Sequence, residues 1–398
     1  MKNNIPQGYK ATALGIIPQE WEVMRLGDIV SITSGESPSL YHLKAKGKYP
    51  YVKVEDLNNC EKYQESSREY SDDNNTTIKA GSIIFPKRGA SILNNKVRIA
   101  AKDIQMDSNM MAITPHTAIV DTEFLYIRIL HERLYRIADT SSIPQINNKH
   151  IIPYKIAVPP LAEQRKIAEV LGVWDEAIEK QARLIEKLAL RKRGLMQRLL
   201  SAKLRLPGFS EPWKTHKLQE LFTERNETNR TDLPLLSITG DRGVILQTES
   251  EKRDTSNDDK SKYKRIAKGD IGYNTMRMWQ GRSALSGLEG IVSPAYTIVV
   301  PNTDVDGYYM SVLFKQPRLI YDFWTHSQGL VGDTLNCKYR DFGQVHICCP
   351  PLAEQKAITE VLTAADREIE LAKEKLERLR RQKRGLMQQL LTGKKRVK

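Results

Sequence analysis

The chain has 398 residues, a length that suggests two or more domains, and 40% of the residues are hydrophobic, enough to form a buried core. Its formal net charge of +14 favours a polyanionic partner, because lysine and arginine side chains that neutralise phosphates release bound counterions. The sequence contains no secretory signal and no apolar run of the roughly 20 residues that a bilayer requires, so we expect a cytoplasmic protein.

The first predicted domain covers residues 1–158. Short runs such as "YPYVKV" and "SIIFP" are rich in β-forming residues and are separated by turn residues, whereas "TEFLYIRILHERLYRI" is a helical patch. This pattern predicts a mixed, mainly β domain. The four cysteines of the chain, Cys60, Cys337, Cys348 and Cys349, follow neither a zinc-site spacing nor a disulfide pattern, and we expect reduced structural thiols.

Two loops of this domain are rich in the residue types that contact DNA. Lysine and arginine bind phosphates, while arginine, asparagine and glutamine pair with the edges of guanine and adenine. The clusters favour a DNA-binding function, although each member taken alone is equally compatible with an ordinary exposed loop residue. The candidates are Lys87, Arg88, Asn94, Asn95, Lys96, Gln145, Asn147, Asn148 and Lys149.

A long charged segment occurs twice. "PPLAEQRKIAEVLGVWDEAIEKQARLIEKLALRKRGLMQRLL" begins at Pro159, and "PPLAEQKAITEVLTAADREIELAKEKLERLRRQKRGLMQQLL" begins 191 residues later at Pro350. Apolar residues at a 4,3 spacing predict two coiled-coil helices, over 159–203 and 350–392, each about 60 Å long. The predicted seam comprises Ile167, Leu171, Trp174, Ile178, Ile185 and Leu188 in the first helix and Ile358, Leu362, Ile369, Leu376 and Leu379 in the second.

The seam is interrupted at Gln181 and Lys192, and Lys383 is aligned with Lys192 in the repeat. An isolated helix with such a narrow apolar stripe would expose it to water, so we expect the two copies to pack on each other. The alternative is two separate core helices, each buried in its own domain. The strict heptads, with charges on the other faces, favour the paired helices.

A linker over 204–212 leads to the second predicted domain, residues 213–349, and a basic tail covers 393–398. Aligning Trp21 with Trp213 shows that the repeat extends into the domains, where "YTIVVP" and "VHICCP" are predicted strands. The loop "NTMRMWQGRS" supplies further candidates for DNA binding, with an aromatic residue that would stack or pack: Arg277, Trp279, Gln280 and Arg282.

No catalytic site is predicted. Both Pro-Pro pairs are followed by Leu-Ala-Glu, whereas a DNA methyltransferase requires an Asn/Asp-Pro-Pro-Tyr/Phe loop and a glycine-rich turn for its cofactor. The phosphate-binding motif of ATP-driven motors and the H-E-x-x-H metal motif are also absent. We therefore assign no catalytic residue, no metal ligand and no cofactor to this chain.

Two variable domains, each followed by "PPLAEQ" and by a long helix that ends in "KRGLMQ", resemble the specificity subunit of type I restriction-modification enzymes. The stretches "FPKRGASILNNKVRI", "SIPQIN" and "YNTMRMWQGRSALSGLEGIVSPAY" are similar to sequences in the target recognition domains of that family. The resemblance implies an α+β fold with two mixed, mainly β target recognition domains separated by an antiparallel coiled coil, and a pseudo-twofold internal repeat. Each domain would read one half of a bipartite, asymmetric DNA sequence.

The resemblance also implies partners for this non-catalytic chain. Two modification subunits would dock on the equivalent helices, bring S-adenosylmethionine and methylate adenine, and restriction subunits would translocate and cut double-stranded DNA with ATP and Mg²⁺. The coiled coil would set the spacing between the two DNA halves. A free-standing bipartite repressor remains the alternative, ahead of a pure coiled-coil scaffold, although no helix-turn-helix motif is visible in the sequence.

Overall fold

The structure is a computed structural model that divides into two compact units. Unit 1 comprises Met1–Ala182 and Glu374–Lys398, and unit 2 comprises Arg183–Lys373. Each unit therefore contains one predicted recognition domain and a portion of both long helices. The residues described are 5–140, 143–240, 242–250, 256–329 and 334–397. Within these ranges, no helix has both the length and the apolar character needed to cross a membrane.

The elements of unit 1 are mostly short strands. The strands are β1 (Tyr9–Thr12), β2 (Gly15–Pro18), β3 (Glu22–Arg25), β4 (Val30–Ser34), β5 (Tyr49–Val52), β6 (Tyr63–Gln64), β7 (Tyr70–Ser71), β8 (Ile83–Pro86), β9 (Arg98–Ala100), β10 (Gln105–Met106), β11 (Met110–Pro115) and β12 (Lys155–Val158). The short helices are α1 (Leu26–Ile29), α2 (Thr122–Glu132), α3 (Leu134–Ile137) and α4 (Asn148–Ile151), and the first long helix is α5 (Leu161–Leu199).

Unit 2 likewise consists mostly of short strands and short helices. Its strands are β13 (Lys214–Lys217), β14 (Phe222–Glu224), β15 (Leu236–Ile238), β16 (Val244–Leu246), β17 (Lys264–Ile266), β18 (Ile271–Asn274), β19 (Ser283–Leu285), β20 (Gly290–Val292), β21 (Tyr296–Pro301) and β22 (His346–Cys349). Its short helices are α6 (Leu218–Leu221), α7 (Gly307–Leu313), α8 (Pro317–His326) and α9 (Tyr339–Gln344), and the second long helix is α10 (Leu352–Leu391).

A five-stranded sheet in the order β4-β11-β8-β9-β6 forms the centre of unit 1, with β11 antiparallel to both β4 and β8. Successive side chains of a strand point to opposite faces. Ile83 and Phe85 therefore pack in one core with Trp21, while Ile84 packs in a second core with Val52. Because both faces of the sheet are buried, the β8 sequence is a continuous apolar run.

The central sheet of unit 2 has the order β14-β21-β18-β19, the same arrangement as β4-β11-β8-β9 in unit 1. Ile271 and Tyr273 lie in one core, and Ile298 lies in the other. Between them, Gly272 permits close packing, because a Cβ atom there would lie 2.4 Å from Cδ1 of Ile238. The two predicted recognition domains thus share a scaffold.

Each long helix begins directly after its Pro-Pro pair and is anchored there by a buried glutamate. In unit 1, Trp21 Nε1 donates to Glu163 at 2.9 Å, and the Arg396 guanidinium donates to the same carboxylate at 2.6 and 2.8 Å. In unit 2, Trp213 and Arg205 donate to Glu354 in the same way. Arg205, in the predicted linker, and Arg396, in the predicted basic tail, are 191 residues apart and thus occupy equivalent positions of the repeat.

The long helices run antiparallel in both units. The core of unit 1 joins Ile167 and Leu171, near the start of α5, to Leu390 at the end of α10. The core of unit 2 joins Leu199, at the end of α5, to Ile358 near the start of α10. The predicted fold class is confirmed. The predicted seam residues that are buried are Ile167, Leu171, Leu188, Ile358, Leu362 and Leu376, and those that are half-buried are Trp174, Ile178, Ile185, Ile369 and Leu379.

The lysines that interrupt the seam form ion pairs between the helices. In unit 2, Lys192 Nζ donates to Asp366 at 2.5 Å. In unit 1, Lys383 donates to Asp175. Asp175 and Asp366 occupy equivalent positions of the repeat, as do Lys192 and Lys383, so this is one contact made twice. A polar pair inside an apolar seam favours one register of the helices over others.

Candidate DNA interface

The first candidate loop connects β8 to β9 in unit 1. Gly89, with φ of +82°, turns the chain after Lys87 and Arg88, and a short 3-10 turn follows over Ala90–Ile92. The amide of Lys87 donates to the Asn109 carbonyl at 2.8 Å, which fixes the start of the loop. Arg88 is exposed and Lys87 is half-buried. Burial and the neighbouring Arg88 lower the pKa of Lys87.

The structure brings this loop together with the second candidate segment of unit 1. The amide of Ile146 donates to the Lys87 carbonyl at 2.9 Å, and the amide of Gly89 donates to the Pro144 carbonyl at 2.9 Å. Gln145 therefore lies beside Arg88, with which it forms a backbone bridge. The exposed Asn147, Asn148 and Lys149 follow at the start of α4. The main-chain bonds thus place cations and amides of both segments on one surface.

Asn95 has a different environment. Its Nδ2 donates to the Leu130 carbonyl at 3.0 Å, and its Oδ1 accepts from the Leu134 amide at 2.9 Å. Its φ of +51° is one that asparagine tolerates better than most residues. Asn95 thereby bridges the end of α2 and the start of α3, which explains an asparagine here without any DNA contact. Its neighbours are an exposed Asn94 and a half-buried Lys96.

The equivalent loop of unit 2 connects β18 to β19. A 3-10 turn over Met278–Gln280 is followed by Gly281 with φ of +71°. Trp279 is half-buried, and its Nε1 donates to the Met276 carbonyl at 3.0 Å, so the indole stabilises the loop locally. Gln280 and Arg282 are exposed, and Arg277 is partly exposed. This loop presents polar side chains that differ from those of unit 1.

A second segment supports the unit 2 loop, and sequence reasoning missed it. The Cys337 amide donates to the Thr275 carbonyl at 2.8 Å, as Ile146 does to Lys87 in unit 1. Burial raises the pKa of the Cys337 thiol to about 12. The repeat offset could have identified the neighbouring polar side chains, because it aligns them with Gln145, Asn147 and Lys149. These side chains belong to Asn336, Lys338 and Arg340.

The chemistry available in these loops is that of hydrogen bonding and charge. Cations, amides and one indole can contact phosphates and base edges, whereas none of the loop residues that the structure describes forms a nucleophile with a paired base. Among the described residues, no cluster of three or more histidine, cysteine, aspartate or glutamate side chains could hold a metal ion.

Comparison with known proteins identifies relatives of the whole chain. The family model of the type I restriction modification DNA specificity domain matches residues 18–189. The putative type I restriction enzyme MjaX specificity subunit of Methanocaldococcus jannaschii is 26% identical, with 98% of this chain and 97% of that protein covered. These matches support a specificity subunit and do not support the free-standing repressor.

Solved structures share the fold. A chain described for complex assembly and conformational transition of the type I R-M system has a TM-score of 0.63 and 17% identity, covering 95% of this chain and 99% of that chain. The type I restriction-modification S subunit from M. genitalium has a TM-score of 0.54 and 15% identity, covering 98% and 97%.

Proposed function

Because the chain belongs to the family of type I restriction-modification specificity subunits, we propose that each of its recognition domains reads one half of a bipartite DNA sequence. One observation carries the proposal. The same scaffold position in both units holds a loop of exposed cations and amides, after β8 in unit 1 and after β18 in unit 2, but the side chains differ. Different side chains at the same position would read different bases, so the full site would be asymmetric.

We further propose that the paired helices dock two modification subunits. An internal repeat offers two copies of one surface, and identical partners bind equivalent surfaces. The seam contact that α5 and α10 make in each unit supports this, because it is made by equivalent residues. Restriction subunits would join the same assembly.

Specificity subunits are non-catalytic by family, so the chemistry would come from the partners. S-adenosylmethionine would bind to the modification subunits, and ATP and Mg²⁺ to the restriction subunits. This chain would bind none of the three. Its own contribution would be the choice of DNA site and, through the length of α5 and α10, the number of base pairs between the two halves.

The test is methylation of a DNA library with randomised half-sites by the chain reconstituted with its modification subunits. Arg88→Ala should relax specificity in one half, and Gln280→Ala should relax it in the other, because each loop belongs to one domain. A lost bidentate base contact costs about 1–3 kcal/mol at one base pair.

Matched controls are Lys102→Ala and Lys268→Ala. Both lysines are exposed and lie at the ends of β9 and β18 that are remote from the loops, so both variants should keep the parent site. The proposed assignment would be contradicted if Arg88→Ala and Gln280→Ala relaxed specificity in the same half-site. It would also be contradicted if the methylated sequence were unchanged in both variants.

A further inference from the structure

Helix α8 of unit 2 carries two large aromatic side chains on its solvent face. Tyr321 is 60% exposed and Trp324 is 47% exposed, and their ring centroids lie 5.5 Å apart. The opposite face of the helix is anchored in the core by Leu319 and Phe323. The helix is therefore held rigidly while the aromatic pair remains uncovered. Exposed tyrosine and tryptophan in contact with each other are typical of binding surfaces.

The aromatic face adjoins the candidate DNA-binding loop of unit 2. Ile320 of α8 packs on that loop at Gly281, where an added Cβ atom would lie 2.8 Å from Cδ1 of Ile320. The residues that follow α8 return to the same loop, because Gln328 pairs with Asn336 and the next amide, that of Cys337, donates to Thr275. The helix and the loop thus form one continuous part of unit 2.

Exposed cations outnumber the carboxylates of Asp322 on α8 and Asp341 on α9, which are both half-buried, and this balance favours an anionic partner. Arg318 is exposed on α8 one turn before Tyr321, and Lys338 and Arg340 are exposed at the start of α9. Across the described ranges, the structure shows no ion pair for these three cations. Arginine, tyrosine and tryptophan together match a partner that has both phosphates and flat or apolar groups.

The partner is identified further by a difference between the units. At the corresponding place in unit 1, between α2 and the segment that holds Gln145, the described residues form a single helix, the four-residue α3. A protein that docks in two equivalent copies requires a surface present in both units. Among the residues that the structure describes, this exposed aromatic face occurs in unit 2 and has no counterpart in unit 1, just as unit 2 alone would read the second half-site.

We propose that Tyr321 and Trp324 pack against duplex DNA beside the second half-site, with Arg318 on a neighbouring phosphate. The inference rests on the proposed function and adds a second contact class to that site. The rings would lie against deoxyribose and base edges and would add affinity that depends on local DNA shape. The second half of the target would then be held by more than its base contacts.

The experiment compares hydrogen exchange in the complex of this chain with its modification subunits, with and without duplex DNA that contains the methylated site. We expect DNA to protect both Thr275–Arg282 and Pro317–His326. Affinity for the same DNA should fall roughly tenfold in Tyr321→Ala/Trp324→Ala, with an unchanged salt dependence, since no phosphate contact is lost. Arg318→Ala should lower the salt slope by about one.

Tyr321→Phe/Trp324→Phe is the matched control. It keeps two aromatic rings and should bind nearly as tightly as the parent. Protection of Thr275–Arg282 without protection of α8 would overturn the inference and leave the proposed function intact. Protection of α8 by the modification subunits without DNA would overturn it in favour of a protein partner. If neither segment is protected and no site DNA binds, the proposed function falls as well.

Discussion

The buried carboxylate at the base of each long helix leads to a prediction about the C-terminal segment. Glu163 is 7% exposed and accepts hydrogen bonds from Arg396 and from Trp21. Truncation in Arg396→Ala would leave this carboxylate with one neutral donor. Removing one partner of a buried ion pair costs about 3–5 kcal/mol, and the 21% exposure of the Arg396 side chain admits some water, which favours the lower end. We expect the free energy of unfolding of unit 1 to fall by about 3 kcal/mol in this variant.

The repeat supplies a matched variant. Arg205 makes the same contacts with Glu354, which is 1% exposed, so Arg205→Ala should destabilise unit 2 by a similar amount. Hydrogen exchange on the full chain can distinguish the two effects. Arg396→Ala should accelerate exchange in α2, although α2 lies more than 260 residues earlier in the sequence, and Arg205→Ala should accelerate exchange in α7.

A second change separates the cost of an unpaired charge from that of lost packing. Glu163→Gln in the Arg396→Ala background removes the uncompensated charge and should recover a part of the lost stability, on the order of 1 kcal/mol. A loss of stability below about 1 kcal/mol in Arg396→Ala would show that the Glu163–Arg396 pair does not stabilise unit 1 as proposed. Accelerated exchange in unit 2 rather than unit 1 would contradict the prediction equally.

Three further predictions concern spacing, backbone strain and a loop residue. Adding one heptad to both α5 and α10 at matched positions lengthens each helix by about 10.5 Å, so the preferred spacer in a methylation library should grow by roughly three base pairs; an unchanged optimum would show that the helices do not set it. Ala202 has φ of +56° where the equivalent Gly393 has +69°, so Ala202→Gly should raise the melting temperature through about 1 kcal/mol of relieved strain, whereas no gain would contradict that strain. Asn95→Ala should cost about 2 kcal/mol in denaturant unfolding and leave the methylated sequence unchanged; altered base preference would instead make Asn95 a reader of DNA.

Local patterns were sufficient to predict several elements. The apolar runs around Ile83 and Tyr296 are strands, and the helical patch forms α2 and α3, divided at Arg133, whose φ of +64° no helix accommodates. Period and propensity act over neighbouring residues, so these elements are visible without knowledge of the fold.

Contacts between distant residues could not be predicted in this way. Glu163 and Arg396 are separated by 233 residues, and the segment predicted as a basic tail packs on unit 1 through that pair. Strand β3 pairs with β12, although the two strands lie near opposite ends of the sequence of the recognition domain. Pairing of this kind depends on tertiary packing, which overrides local preference.

The candidate loops were predictable as clusters but not residue by residue. Lys87 and Gln145 carry side chains typical of DNA contacts, and the chain brings their segments together. Asn95 carries the same kind of side chain, but its amide group forms hydrogen bonds with the protein backbone. Tyr321 and Trp324 would have been assigned to the core from their apolar character, and only the fold reveals that they are exposed.

The doubled lysine-aspartate contact has a consequence for the origin of the chain. Each half carries both the lysine and the aspartate of the seam, in Asp175 with Lys192 and again in Asp366 with Lys383. One half could therefore pair with an identical copy of itself as it now pairs with the other. The protein has the construction of a homodimer fused end to end. After such a fusion, the need to keep the two helices paired would preserve the similarity of their sequences while the loop sequences diverged. The sequence follows this pattern, because the two helix segments are similar and the loops of the two domains differ.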